Sequence, residues 1–209
     1  MIKLLVADDH TIVRKGIEQI IEETSDIRVA DQACNGQEVL EKVSKNDYDL
    51  VLLDISMPGR DGLEILKELK SRKPKLGVLM LSMYPEEQYA VRALRSGASG
   101  YLTKESAPDE LIAAIRKVSS GHKYVSMSLA EKLAFELEAP GDHPLHEKLS
   151  DREYRIMCML ASGKRQTEIA DELSLSIKTV NTYRARLLKK MNMTTNAEIT
   201  RYAIDNKLL

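Results

Sequence analysis

The sequence predicts an α/β chain: a doubly wound, five-stranded parallel sheet followed by a small all-α domain of four helices. Short apolar runs alternate five times with helical patterns over the first 120 residues. Several runs are apolar throughout, as in Leu50-Val51-Leu52-Leu53, which fits strands buried on both faces. From Leu149 onward such runs cease, and the apolar spacing becomes helical.

The five runs are residues 2–7, 27–33, 50–55, 78–82 and 100–103, each ending in a polar or small residue. Val13, Ile17, Ile20 and Ile21 stripe the first helix at i, i+4, i+7 and i+8. Val39, Leu40 and Val43 mark the second, and Leu63, Leu66 and Leu69 the third. Tyr89, Ala90, Ala93 and Leu94 mark the fourth; Leu111, Ile112, Ile115 and Val118 mark the fifth. Residues 126–138 form a possible helix on Leu129, Leu133 and Leu137, before the breaker-rich segment 139–144. The capping box Ser150-Asp151-Arg152-Glu153 opens the C-terminal helices, read as 153–162, 166–173, 177–191 and 196–206. The expected domains are therefore 1–121 and 148–209, with 122–147 as linker.

The net charge of -1 conceals an asymmetry. Residues 146–209 hold 12 Lys+Arg and 8 Asp+Glu, so +4; the preceding residues hold 19 and 24, so -5. An acidic part and a basic part imply two tasks, the second on nucleic acid. Cys34 and Cys158 lie 124 positions apart with no CxxC pair or Cys/His cluster, so both read as buried free thiols. The opening apolar run is too short for a signal or membrane segment, and a cytoplasmic protein is expected.

In a doubly wound sheet, ligands sit outside the carboxyl ends of the strands. Asp8 and Asp9 end the first strand and Asp54 ends the third. Three converging carboxylates repel one another and call for a cation; oxygen-only ligands favour Mg²⁺. Ser82 ends the fourth strand and Lys104 follows the fifth, both suited to phosphoryl oxygens above Asp54. A solvated loop, a turn cap or a core tyrosine explains each such residue singly, but not the set in this order.

With Tyr101 added, these residues resemble the receiver domain of two-component response regulators over residues 1–121, with a flavodoxin/CheY-like fold. The resemblance implies that Asp54 accepts a phosphoryl group from a sensor histidine kinase or a small phosphodonor. It also implies that Asp9, Asp54 and the Ser56 backbone carbonyl ligate Mg²⁺, with Asp8 acting through water. Ser82 and Lys104 would bind the phosphoryl oxygens, and Tyr101 would change rotamer as the switch aromatic, turning inward as Ser82 moves. Glu105 departs from the family, most members of which have proline there; the usual reason for a cis peptide is then missing.

The tight turn Ser174-Leu175-Ser176 between the second and third C-terminal helices reads as a helix-turn-helix. The third helix carries Lys178, Arg184, Arg186, Lys189 and Lys190 and no acid. At 100° per residue, Ile177, Val180, Leu187, Leu188 and Met191 form its buried stripe. Lys178, Asn181, Thr182, Ala185 and Lys189 lie opposite, with chemistry suited to phosphates and base edges. Arg184 falls in the apolar stripe, its guanidinium expected to reach a phosphate or a carboxylate. The runs Leu149-Ser150-Asp151-Arg152-Glu153, Ile169-Ala170-Asp171-Glu172-Leu173 and Lys178-Thr179-Val180-Asn181-Thr182-Tyr183 resemble LuxR/GerE-type domains. The whole chain is thus similar to the NarL/FixJ family. That implies DNA contacts by Lys178, Thr179, Asn181, Thr182, Ala185 and Arg186. It also implies a homodimer on a pseudo-palindromic site of double-stranded DNA, with RNA polymerase as a further partner.

Two other readings compete. An aspartyl-phosphate enzyme of the haloacid-dehalogenase type usually carries a second Asp two residues after the nucleophile, where this chain has Ser56. A receiver that only dimerises would leave the acidic pocket without purpose. Neither displaces the expectation of a regulator that is not an enzyme, apart from gaining and losing its own phosphoryl group.

Overall fold

The computed structural model describes residues 1–127, 129–131, 133 and 144–209, which divide into two compact units, Met1–Glu131 and Lys132–Leu209.

The first unit runs β1 (Ile2–Ala7), α1 (Thr11–Glu22), β2 (Ile27–Ala33), α2 (Gly36–Lys45), β3 (Leu50–Asp54), α3 (Gly62–Arg72), β4 (Gly77–Ser82), α4 (Glu86–Arg95), β5 (Gly100–Thr103) and α5 (Pro108–Ser119). All neighbouring strands pair parallel, in the order β2-β1-β3-β4-β5. Every residue of β3 and β4 is buried, because helices cover both faces of the sheet. Leu4, Val6, Leu50, Leu52, Leu79 and Leu81 share a core with Ile17 and Ile21 of α1 and Leu111 and Ile115 of α5. Alternate strand residues such as Leu5, Val51 and Leu53 face the other way, toward the side covered by α2, α3 and α4.

The unit continues past residue 121. Tyr124 N donates to the Ser99 carbonyl (2.8 Å), and Tyr124 bridges Gly100 on the β5 edge. Ser126 Oγ then donates to Glu86 Oε2 (2.5 Å), and Leu129 is buried. Residues 127, 129–131 and 133 are helical; the remainder of the helix expected over 126–138 lies outside the described residues.

The second unit comprises a 3₁₀ turn (Leu145–Lys148), α6 (Asp151–Ala161), α7 (Gln166–Glu172), α8 (Ile177–Met191) and α9 (Asn196–Asp205). Ser150 and Glu153 form the expected capping box on α6. Ser174 turns the chain between α7 and α8 at φ 53°, and Ser176 caps α8 by accepting from Thr179 N at 3.0 Å. Asn192 ends α8 in the left-handed conformation, φ 55°. Lys190 Nζ reaches Glu153 Oε2 (2.6 Å), tying α8 to α6.

Three expectations need correction. Cys34 is exposed, lying in the loop between β2 and α2, where its thiol donates to Glu38 Oε1 (3.0 Å); only Cys158 is buried. Ile177 is 47% exposed, because it starts α8 directly after the cap, at the end of the stripe facing solvent. Arg184 Nε donates to Asn196 Oδ1 (2.7 Å), so its head ties α8 to α9 through a carboxamide.

Candidate functional site

The pocket forms because β1 and β3 are neighbours in register. Ala7 pairs with Leu53, so Asp8 and Asp54 follow side by side at the carboxyl ends. Asp8 and Asp54 are each 1% exposed. Lys104 reaches both from beyond β5, its Nζ 2.8 Å from Asp54 Oδ2 and 2.6 Å from Asp8 Oδ2. Its backbone N–H donates to the Ser82 carbonyl (2.7 Å), which holds the β4 and β5 ends together. Asp54 Oδ1 accepts from Ser56 N (3.1 Å), which places Ser56 over the carboxylate. A Cβ at position 62 would stand 2.2 Å from the Asp54 carbonyl oxygen, so glycine alone lets α3 begin this close.

Burial pushes the Asp54 carboxyl above the usual carboxylate range, against the pull of Lys104. Burial also works to lower the Lys104 ammonium, but Asp54 and Asp8 prevail and hold it above its ordinary value. One lysine thus partly neutralises a cluster that still carries excess negative charge. Ligand atoms of Asp8, Asp9, His10 and Asp54 all lie within 4.8 Å of one another, and converging carboxylates are costly unless a cation offsets their charge. This donor set fits a hard divalent ion.

Ser82 is fully buried, its Oγ accepting from Tyr84 N (3.1 Å). Tyr101 is also fully buried, and its hydroxyl donates to the Tyr84 carbonyl at 2.8 Å. The ring therefore already points inward in the described state. Burial drives its phenol upward, so it stays a donor at any ordinary pH.

In the second unit, Lys178, Asn181, Thr182, Ala185, Arg186 and Lys189 are all exposed and line one shallow depression along α8. Thr182 Oγ1 donates back to the Lys178 carbonyl (2.9 Å). Thr179 stands apart, half-buried, with its Oγ1 2.8 Å from Ser176 Oγ at the helix cap.

A family model described as the response regulator receiver domain matches residues 4–116, and one described as bacterial regulatory proteins, luxR family, matches residues 147–203. The response regulator UvrY of Escherichia coli (strain K12) is 37% identical over 209 residues, 100% of this chain and 96% of that protein. The chain belongs to the response regulator family. The response regulator GacA of Pseudomonas aeruginosa is 37% identical over 205 residues, 98% of this chain and 96% of its own. RcsB from Salmonella enterica serovar Typhimurium, bound to promoter rprA with the phosphomimetic BeF3-, has a TM-score of 0.66. It is 25% identical, with 97% of this chain and 98% of that one covered.

Three residues of this response regulator's pocket escaped sequence reasoning. His10 Nδ1 lies 2.9 Å from Asp9 Oδ1 and 3.3 Å from Asp8 Oδ1. Arg14 donates to the Asp8 carbonyl (2.6 Å) and to Gln32 Oε1 (3.2 Å), bracing the β1 loop. Tyr84 joins Ser82 to Tyr101 through its backbone. The His that directly follows Asp8-Asp9 was a legible signal; backbone contacts of Arg14 and Tyr84 have none in sequence.

Proposed function

We propose that Asp54 is phosphorylated by a sensor histidine kinase and that this event controls sequence-specific DNA binding, and so transcription, by α8. The observation that carries the reading is the pairing, in one chain, of a buried carboxylate–lysine pocket with an exposed basic helix face.

An Asp54 carboxylate oxygen attacks phosphorus, the P–N bond to the kinase imidazole breaks, and its electron pair stays on that nitrogen. Lys104 stands where it can leave Asp54 for a phosphoryl oxygen, and Ser82 supplies a hydroxyl after a short movement. Asp9, Asp54 and the Ser56 carbonyl would hold Mg²⁺, with Asp8 acting through water; bound there, the ion would offset charge on the carboxylates and on the incoming group. The phosphoryl adds roughly -1.5 to -2 charge. When Ser82 Oγ turns to it, Tyr84 N loses its acceptor. The Tyr84 carbonyl then presents Tyr101 differently to the α4–β5 surface, so Tyr101 and Ser82 act as one switch.

On DNA, Lys178, Arg186 and Lys189 would meet phosphates, while Asn181, Thr182 and Ala185 face base edges. Thr179 acts at the cap, where the α8 N-terminus also favours a phosphate. We place residues 1–121 as receiver, 148–209 as reader and 122–147 as connection. No helix among the described residues is long and apolar enough to cross a membrane; we assign the regulator to the cytoplasm. Two copies on a pseudo-palindromic site, paired through α9 when phosphorylated, complete the reading, with RNA polymerase as a further partner. Chemistry at Asp54 is confined to gaining and losing its phosphoryl group.

The full chain is incubated with acetyl phosphate and Mg²⁺, then followed by peptide mass spectrometry, light scattering and binding to genomic DNA fragments. One phosphoryl group on Asp54, a mass near that of two chains and tighter binding to a subset of fragments are expected. Labelling that survives Asp54→Asn, or DNA binding indifferent to labelling, would sink the reading.

A further inference from the structure

We propose that Arg184 and Asn196 are positioning residues: their hydrogen bond fixes the angle between α8 and α9, and so sets the separation of the two half-sites that a pair of chains reads together. The inference rests on the reading in which α8 enters DNA and α9 pairs the two copies.

α8 and α9 each lie against α6 and share little contact with one another. Val180, Leu187, Leu188 and Met191 of α8 are buried, as are Ile199 and Ala203 of α9. Apolar burial holds a helix down but has no direction, so it leaves the angle between the two axes loosely specified. A hydrogen bond has both a length and a direction. Arg184 Nε donates to Asn196 Oδ1 at 2.7 Å, and this contact joins the two helices directly. Both residues are half-buried, which shields the bond from competing water. A carboxamide does not neutralise the guanidinium, so the contact supplies geometry more than stability.

The place of the contact gives it leverage. Asn196 is the first residue of α9, while Arg184 lies about two turns back from the end of α8. The link 192–195 fixes where α9 starts; a contact two turns away acts as a strut and fixes the angle at which it leaves. Arg184 stands in the same turn as Asn181 and Ala185, which line the open depression along α8. Ala197, Thr200, Arg201 and Ile204 line a second shallow depression, on α9. The strut thus connects the turn that faces bases with the helix that faces the partner copy. Neighbouring base pairs are about 3.4 Å apart, so a shift of α8 by that much against α9 moves the reading by one position.

The test uses the full chain treated with acetyl phosphate and Mg²⁺, and duplexes built from the sequence that the wild type selects from a random DNA library. Each duplex carries that half-site once, or twice at separations varied by single base pairs. Asn196→Ala should bind the single half-site as the wild type does. On paired half-sites, its preference for the best separation over neighbouring ones should fall about fivefold. Asn196→Asp keeps the acceptor and should restore the wild-type profile. A profile unchanged by Asn196→Ala, an equal loss on single and paired half-sites, or a loss that Asn196→Asp does not restore would overturn the proposal and leave the paired reading standing. A wild-type chain that binds paired half-sites no better than single ones would overturn that reading and the proposal with it.

Discussion

The two units handle charge in opposite ways. In the first, Asp8, Asp54 and Lys104 are taken almost wholly out of water, with Lys104 only 6% accessible. In the second, Lys178, Arg186 and Lys189 stand on an open helix face. Buried charges interact strongly and in small number, so a single added phosphoryl group changes the balance. Exposed charges are individually weak, screened by salt, and act by summing over many phosphates. A switch needs the first arrangement and a reader the second.

The largest expected effect comes from Lys104→Ala. It leaves two buried carboxylates facing each other and should cost about 3 kcal/mol of receiver stability, measured by urea unfolding at neutral pH without divalent ions. Added Mg²⁺ should restore much of that loss. No loss in the absence of metal would mean that the pocket is effectively wet, and the contrast between units would fail. On the reader, Asn181→Ala should cost about 2 kcal/mol on the preferred site alone. Lys178→Ala should cost less but on every sequence, lowering the salt slope by about one. Fluorescence anisotropy at several salt concentrations separates the two; equal losses on all fragments for Asn181→Ala would remove it from base readout.

Asp54→Asn should stabilise the receiver by about 1 kcal/mol at pH 7. Burial raises the folded carboxyl above its unfolded value, so its favourable contribution exists only below the unfolded pKa and is lost as pH rises through the folded one. The advantage of the Asn variant should therefore disappear on acidification; an advantage that persists there would point to another cause. Glu153 has the opposite sign and the smallest effect. Burial works to raise its carboxyl, but Lys190 and Ser150 hold it below the ordinary range. Its contribution is present above about pH 4.5 and fades as pH falls through the lowered value. Glu153→Gln should thus lower melting temperature slightly at pH 7 and not at all in acid.

Much of the fold was legible because buried parallel strands carry unbroken apolar runs. In Leu50-Val51-Leu52-Leu53 the next residue, Asp54, is conspicuous by contrast. The same logic exposed Asp8, Ser82 and Lys104, all of which the structure brings to one end of the sheet. Helical periodicity found α8 and its open face, but it placed Ile177 inside and left Arg184 without its partner. The periodicity of one helix says nothing of where neighbours end, and only the packed α9 shows that Asn196 meets Arg184. Tyr101 was identified but its rotamer was not, since that depends on the course of the loop carrying Tyr84. Residues 122–147 were read as linker, because the single bridge at Tyr124 has no periodicity to betray it.

Gly62 shows how a position without chemistry can imitate one that has it. Its α-carbon leans on the main chain at the end of β3 so closely that any side chain would push Asp54 or Ile55 aside. In a screen for regulators deaf to their signal, Gly62→Ala would turn up beside the aspartate mutants and be scored as an active-site allele. The lesion would be one of carpentry: the carboxylate intact, the shelf beneath it displaced.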